Sequence, residues 1–129
     1  MKIKEKITVP GAEDGLCYSP AVRYGDTLYV AGQVGEDAEG NIPEGIYAQT
    51  ILAIENAKEL IEAAGGSLEN VLMCQCFIRN KEDFAKMNEA YATYFGKEGS
   101  IPPARYTLVA APVDDEYLVE ISMIAGLAK

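Results

Sequence analysis

Histidine and tryptophan are both missing from this 129-residue chain. Without histidine, Ser-His-Asp and Cys-His nucleophile systems are excluded, as are two-histidine ribonuclease chemistry and zinc sites that need imidazole. Any proton transfer must fall to carboxylates, tyrosine, lysine, cysteine, backbone groups or water. Positive charge is scarce: 11 Lys and Arg stand against 20 Asp and Glu, a formal net charge of −9. A nucleic-acid surface needs a basic patch to displace counterions, and these cations are scattered, so no nucleic-acid partner is expected. No apolar run approaches the ~18 residues that span a bilayer, so no membrane partner is expected either. Met1 to Lys6 has no apolar core behind it, which does not read as a secretory signal. Cysteines number three, two of them in Cys74-Gln75-Cys76. That odd count describes no disulfide framework, and a reduced, cytoplasmic setting is the default.

What is present is an ordinary globular composition, with 49% apolar and 24% charged residues, enough to build one core. Residues 1–129 read as a single domain, without repeat, low-complexity tract or linker. Residues 1–9 read as an interrupted strand. Ala21–Tyr24, Gly25-Asp26 and Thr27–Val34 read as a hairpin, with Leu28 and Val30 on one side and Tyr29 and Ala31 on the other. Gly35–Gly45 is a polar loop. Tyr47, Ile51, Ile54, Ala57, Ile61 and Ala64 recur at helical spacing over Ile46–Ala64, and Gly65-Gly66 supplies a left-handed stop. Val71–Arg79 is apolar on both faces and reads as a central, covered strand. Asn80 is expected to cap a second helix, with Asp83 as its reciprocal partner. Phe84, Met87, Tyr91, Tyr94 and Phe95 form that helix's buried stripe, and Gly96 ends it. Strands at about Arg105–Ala110 and Tyr117–Ala125 complete the order β-β-β-α-β-α-β-β. Two helices on one face of a mixed sheet make an α+β two-layer sandwich. Its uncovered face, with Tyr29, Ala31 and the cysteine strand, is too apolar to stay wet, which points to oligomerisation.

The chemistry-bearing residues centre on Ile101–Pro112. Pro102 and Pro103 force an extended approach to Arg105, a lone cation at the head of an apolar strand. Glu120 is likewise a charge inside Leu118-Val119-Glu120-Ile121. Paired as a hairpin, the last two strands would put Arg105, Thr107, Glu120 and Ser122 on one face. From the residues alone two readings stand: a structural ion pair, or a guanidinium that grips a small carboxylate beside an acid that handles water. Gly32 is a bulge or a close backbone approach to a ligand. Tyr18 reads as a turn or core tyrosine and Asn88 as a polar-face residue. Cys74 and Cys76 share a strand face, but two sulfurs with no third ligand make a poor metal site and read as buried apolar groups. The glycines of 32–45 lack the phosphate-binding loop pattern. No metal and no cofactor are expected.

Taken together, a longer series of segments resembles the RidA/YjgF family of reactive-intermediate deaminases over nearly the whole chain. The series comprises Tyr18-Ser19, Ala21-Val22, Gly25-Asp26-Thr27-Leu28-Tyr29-Val30-Ala31-Gly32-Gln33, Asn56-Ala57-Lys58 and Ala63-Ala64-Gly65-Gly66-Ser67-Leu68-Glu69-Asn70-Val71. It continues through Asp83-Phe84-Ala85, Met87-Asn88-Glu89, Tyr91-Ala92, Tyr94-Phe95, Pro103-Ala104-Arg105 and Val119-Glu120-Ile121. The resemblance implies a chorismate-mutase-like fold and a homotrimer whose sheets pack into a central barrel, with clefts between subunits. It implies hydrolysis of 2-imino acids such as 2-iminobutanoate and 2-iminopropanoate, tautomers of enamines released by pyridoxal-phosphate Ser/Thr dehydratases, to 2-oxo acids and ammonia. By position, Arg105 grips the substrate carboxylate and Glu120 positions water. Tyr18 and Asn88 line the cleft, Tyr18 as a catalytic residue that shapes the site or assists the reaction, Gly32 offers a backbone contact, and Thr107 stands at a substrate-binding position where the family usually keeps cysteine. An imine is already electrophilic, so such chemistry needs no cofactor. Leu16-Cys17, Pro20, Tyr106 and Val34-Gly35-Glu36-Asp37 depart from the usual pattern and bear on the substrate side chain. Other activities on the same scaffold are a non-catalytic 2-oxo acid binding module, a 2-aminomuconate-type deaminase and, disfavoured by charge and the missing histidine, an endoribonuclease.

Overall fold

Period-2 and period-3.6 patterns resolve into six strands and two helices in the computed structural model, which describes residues 3–127. The strands are β1 (Glu5–Ile7), β2 (Ala21–Tyr24), β3 (Thr27–Val34), β4 (Val71–Ile78), β5 (Ala104–Val109) and β6 (Val119–Gly126). The helices are α1 (Ile46–Ala63), between β3 and β4, and α2 (Phe84–Phe95), between β4 and β5. Both helices cover one face of a mixed sheet ordered β1-β2-β3-β6-β4-β5, the expected α+β sandwich. No helix among the described residues is long and apolar enough to cross a membrane.

The β2–β3 hairpin turns at Gly25, whose φ of 61° suits a residue without Cβ. Leu28 and Val30 are buried against the helices while Tyr29 faces away. In α1, Ile54, Ala57, Ile61 and Ala64 form the buried stripe, widened by Ala53 and Leu60, whereas Tyr47 stays exposed. Gly65, with φ 90°, ends the helix as expected. The start of α2 differs from expectation. Asn80 makes no side-chain cap; its backbone is extended and opens a 3₁₀ turn, Lys81–Asp83, closed by the Asp83 N–H donating to the Asn80 carbonyl at 3.0 Å. The buried stripe of α2 is Met87, Ala90, Tyr91 and Phe95, with Phe84 exposed at its N-terminal end.

The last two strands do not form a hairpin. β4, α2 and β5 are a strand–helix–strand crossover, which returns β5 parallel to β4 at the sheet edge. β6 buries Val119, Ile121, Met123 and Ala125 and takes an interior place, antiparallel to both β3 and β4. The 110–118 connection is held to the end of β4 by Arg79, whose Nε donates to the Tyr117 carbonyl and whose Nη2 donates to those of Pro112 and Asp114.

This topology changes which residues share a face. Cys74 and Cys76 face the helices, and their partners across the ladder are Arg105 and Thr107. Glu120 pairs with Phe77 and Ser122 with Gln75, on the other face. Arg105 and Thr107 therefore lie on the helix side, and Glu120 and Ser122 on the open side, because β4 separates the two strands and sets their parity. The cysteines are buried, as expected, but they do not contribute to the uncovered face. That face carries Tyr29, Leu72, Phe77, Tyr106, Leu108 and Ile124 instead, and β4 is covered on one side only within the chain. Tyr29, Leu72 and Leu108 each expose more than half of their surface there (52%, 58% and 52%).

Candidate active site

One half of the candidate site is built where β5 begins. Pro102 and Pro103 lead in extended, and Arg105 follows as the second residue of the edge strand, beneath α2. Its Nη1 donates to Asn88 Oδ1 at 2.8 Å. Its Cζ lies 4.6 Å from the Tyr91 ring centroid and 5.9 Å from that of Phe84. Phe84, Asn88 and Tyr91 fall at helical spacings of four and three, so one face of α2 presents all three to one guanidinium. Asn88, Tyr91 and Arg105 line an open groove of about 420 Å³ together with Phe95, Pro102 and Pro103. The ion pair among the described residues is Lys58–Glu62; Arg105 has no carboxylate partner there. The ion-pair alternative for Arg105 with Glu120 is thereby removed.

Beneath the guanidinium lies a layer of weakly polar groups. Thr107 Oγ1 and Tyr91 Oη are buried with no oxygen or nitrogen partner among the described residues; a thiol is the polar neighbour of each, Cys76 for Thr107 and Cys74 for Tyr91. Burial pushes the Cys74 thiol up to about 11 and, with the neighbouring Cys74, the Cys76 thiol up to about 12, although Arg105 opposes both shifts. Both are neutral thiols at physiological pH. Burial and the Cys74 contact push the Tyr91 hydroxyl well above the ordinary tyrosine range. None of these groups is a proton donor or nucleophile ready for use. They form a neutral floor under one fixed positive charge.

The other half is on the open face. The register of β3 against β6 slips between Val30 and Gln33, so Gly32 sits in a bulge. A Cβ there would overlap Glu120 Oε2 and lie 2.9 Å from Cδ. The bulge expected of Gly32 is thus present, and the group that comes close to its backbone in this chain is the Glu120 side chain. Glu120 is half-buried and has no hydrogen bond or ion pair among the described residues. Tyr18 is 61% exposed, two residues before Pro20, whose carbonyl accepts from the Ala31 N–H at 2.9 Å. The neighbouring rim is fixed by Gln49, which donates to the carbonyls of Pro43 and Glu116 and accepts from the Leu118 N–H. Tyr117 donates to Glu36 Oε1 at 2.7 Å, and that bond pushes the Tyr117 hydroxyl up to about 12.

Arg105 and Asn88 are brought together, and so are Glu120 and Gly32, but the two pairs are not. Two strand spacings, ~10 Å in all, and the thickness of the sheet separate them. One small molecule cannot touch both within a chain. Tyr91 and Phe84 were missed as site residues because an aromatic stripe reads first as core. The available signal was their helical spacing from Asn88.

Residues 13–127 match the family model described as Endoribonuclease L-PSP. A RutC family protein of Saccharolobus solfataricus is 40% identical over 110 residues, covering 84% of this chain and 85% of that protein. Among solved structures, a conserved Rid-family protein of unknown function from Yersinia pestis superposes with a TM-score of 0.87 at 30% identity, covering 97% of this chain and all of that one. Escherichia coli TdcF with bound serine gives a TM-score of 0.87 at 28% identity, covering 96% of this chain and 99% of that one.

Proposed function

For this chain, which belongs to the endoribonuclease L-PSP family that includes the RidA/YjgF proteins, we propose hydrolysis of small 2-imino acids to 2-oxo acids and ammonia. The observation that carries the reading is Arg105: a half-buried guanidinium, fixed by Asn88 and two aromatic rings, opening on a groove with no acidic partner among the described residues. Such a group is built for a carboxylate. The serine bound to TdcF, itself a carboxylate ligand, is consistent with that.

In the reaction, Arg105 holds the substrate carboxylate. Water adds through oxygen to the imine carbon, whose double bond to nitrogen becomes single. Glu120 accepts the proton released by that water and returns a proton to nitrogen. Glu120 then takes the hydroxyl proton as the carbon–nitrogen bond breaks and the carbonyl forms, and passes it to the departing ammonia, so one iminium ion and one water give one 2-oxo acid and one ammonium. An imine is electrophilic enough for orientation and a single proton carrier to suffice. Tyr18 borders this second half, and Thr107 packs beside the grip.

Because Arg105 and Glu120 lie on opposite faces, the working site takes them from two copies of the chain. The apolar open face supplies the contact, and a closed homotrimer repeats the site three times. The family description also names endoribonuclease activity. A net charge of −9 and the absence of histidine weigh against RNA as the substrate.

The test couples a threonine dehydratase to the purified protein and follows 2-oxobutanoate release. Acceleration over the dehydratase alone, lost on Arg105→Gln, is expected. A rate equal to that without the protein, with the oligomer intact, overturns the proposal.

A further inference from the structure

We infer that Tyr91 is the positioning residue of the carboxylate grip: its ring face, with Phe84 beyond it, sets the plane in which Arg105 meets its ligand. This rests on the reading of Arg105 given above. An arginine at the edge of a sheet has four torsions to settle, and a two-point grip is productive only when the guanidinium plane is fixed before the ligand arrives. The structure restrains that plane from separate directions. Asn88 Oδ1 accepts from Nη1 at 2.8 Å and stops rotation within the plane. The Tyr91 ring, 4.6 Å from Cζ, stops tilting, and Phe84 bounds the guanidinium at 5.9 Å. The remaining N–H groups are left to the groove.

Tyr91 is suited to be the platform because it cannot easily move. It is only 7% exposed and packs on Phe95 with ring centroids 4.7 Å apart. The part of Tyr91 that acts is its ring. Its hydroxyl lies against Cys74, on the sheet side of the ring, with no oxygen or nitrogen partner among the described residues. The hydroxyl therefore reaches no ligand held by Arg105. Phe84, 43% exposed and 5.9 Å from Cζ, is the outer and weaker restraint.

The experiment has two readouts. Rotation of the Arg105 guanidinium, measured by NMR without ligand, reports the restraint directly. Binding of 2-oxobutanoate reports its consequence. Tyr91→Leu should speed the rotation and weaken binding roughly 3- to 30-fold, the range for loss of a cation–π face, and should raise KM with little change in kcat. Tyr91→Phe keeps the ring and should rescue both. Unchanged rotation in folded Tyr91→Leu overturns the inference, as does a Tyr91→Phe variant that behaves like Tyr91→Leu. If Tyr91→Leu does not fold, Tyr91→Met takes its place: faster rotation is expected, and unchanged rotation overturns the inference. Should the parent protein bind no 2-oxo acid, the proposed function fails, while the rotation measurement still decides the role of Tyr91.

Discussion

Arg105 and Glu120 stand on opposite faces of one sheet, separated by β4, and neither charge is paired among the described residues. The Cys74–Arg105 and Phe77–Glu120 pairs set that relationship, because Cys74 and Phe77 point to opposite sides. It leads directly to a complementation experiment. Arg105→Gln and Glu120→Gln should each abolish deamination when all subunits carry the same change. Unfolded and refolded together in equal amounts, they should recover about one quarter of the parental activity, since a random trimer forms that share of sites from the two unaltered residues. Recovery indistinguishable from zero would place both residues in one subunit's site.

Replacing Arg105 by lysine keeps the charge but removes the planar fork and its stacking on Tyr91. Binding of 2-oxobutanoate should weaken by roughly 10- to 100-fold, read by calorimetry, with thermal stability nearly unchanged because the residue is at an edge. A loss below 2-fold would mean that charge alone is recognised.

Gly32→Ala tests the other half. The new methyl meets the Glu120 carboxylate, which must swing away, while φ at this residue poses no obstacle. Displacement of a catalytic group by about 1 Å can cost ~100-fold, so kcat should fall by that order with the melting temperature little altered. An unchanged kcat would remove Glu120, as placed here, from the chemistry.

The thiols give a pH signature. Cys17 is exposed, whereas Cys74 and Cys76 are buried and titrate at about 11 and about 12 against an ordinary 9.0. At pH 8 a thiol reagent should label Cys17 promptly and the other two only on unfolding. Above pH 9 the folded chain keeps protons that the unfolded chain has lost. The stability from these two groups is therefore complete below pH 9 and is lost as pH rises through about 11 for Cys74 and about 12 for Cys76. Denaturant midpoints across that range measure it, and the double change Cys74→Ala/Cys76→Ala should flatten the slope.

The open face makes its own prediction. Leu108→Asp places a charge beside Phe77 and Tyr106 on the open face, and should shift the protein toward monomer in light scattering while leaving its helical circular dichroism intact. Activity should fall with the oligomer. A monomer of full activity would show that one chain suffices.

Local pattern disclosed much of this architecture. The hairpin at Gly25-Asp26, the long stripe of α1 and the order of elements follow from periodicity and turn chemistry close in sequence. The partner of β5 does not, because Ala104–Val109 pairs with β4 through a helical crossover and β6 inserts from farther along the chain. Adjacency favoured a hairpin, and that single choice placed Glu120 on the wrong face. Asn80 misled for a related reason: its residue type suits a cap, but the chain inserts a 3₁₀ turn first. The grip itself was legible as Arg105 after two prolines. Its aromatic platform was not, since Tyr91 obeys the same periodicity whether it faces only core or also a guanidinium.

The apolar open face has a consequence for dilution. If the pocket is closed by one copy's Arg105 and another's Glu120, as proposed, it exists only at concentrations where copies meet, and specific activity becomes a binding isotherm of the protein for itself. A small carboxylate lodged across the seam would tighten that isotherm by mass action. The substrate would then help to hold together the assembly that consumes it.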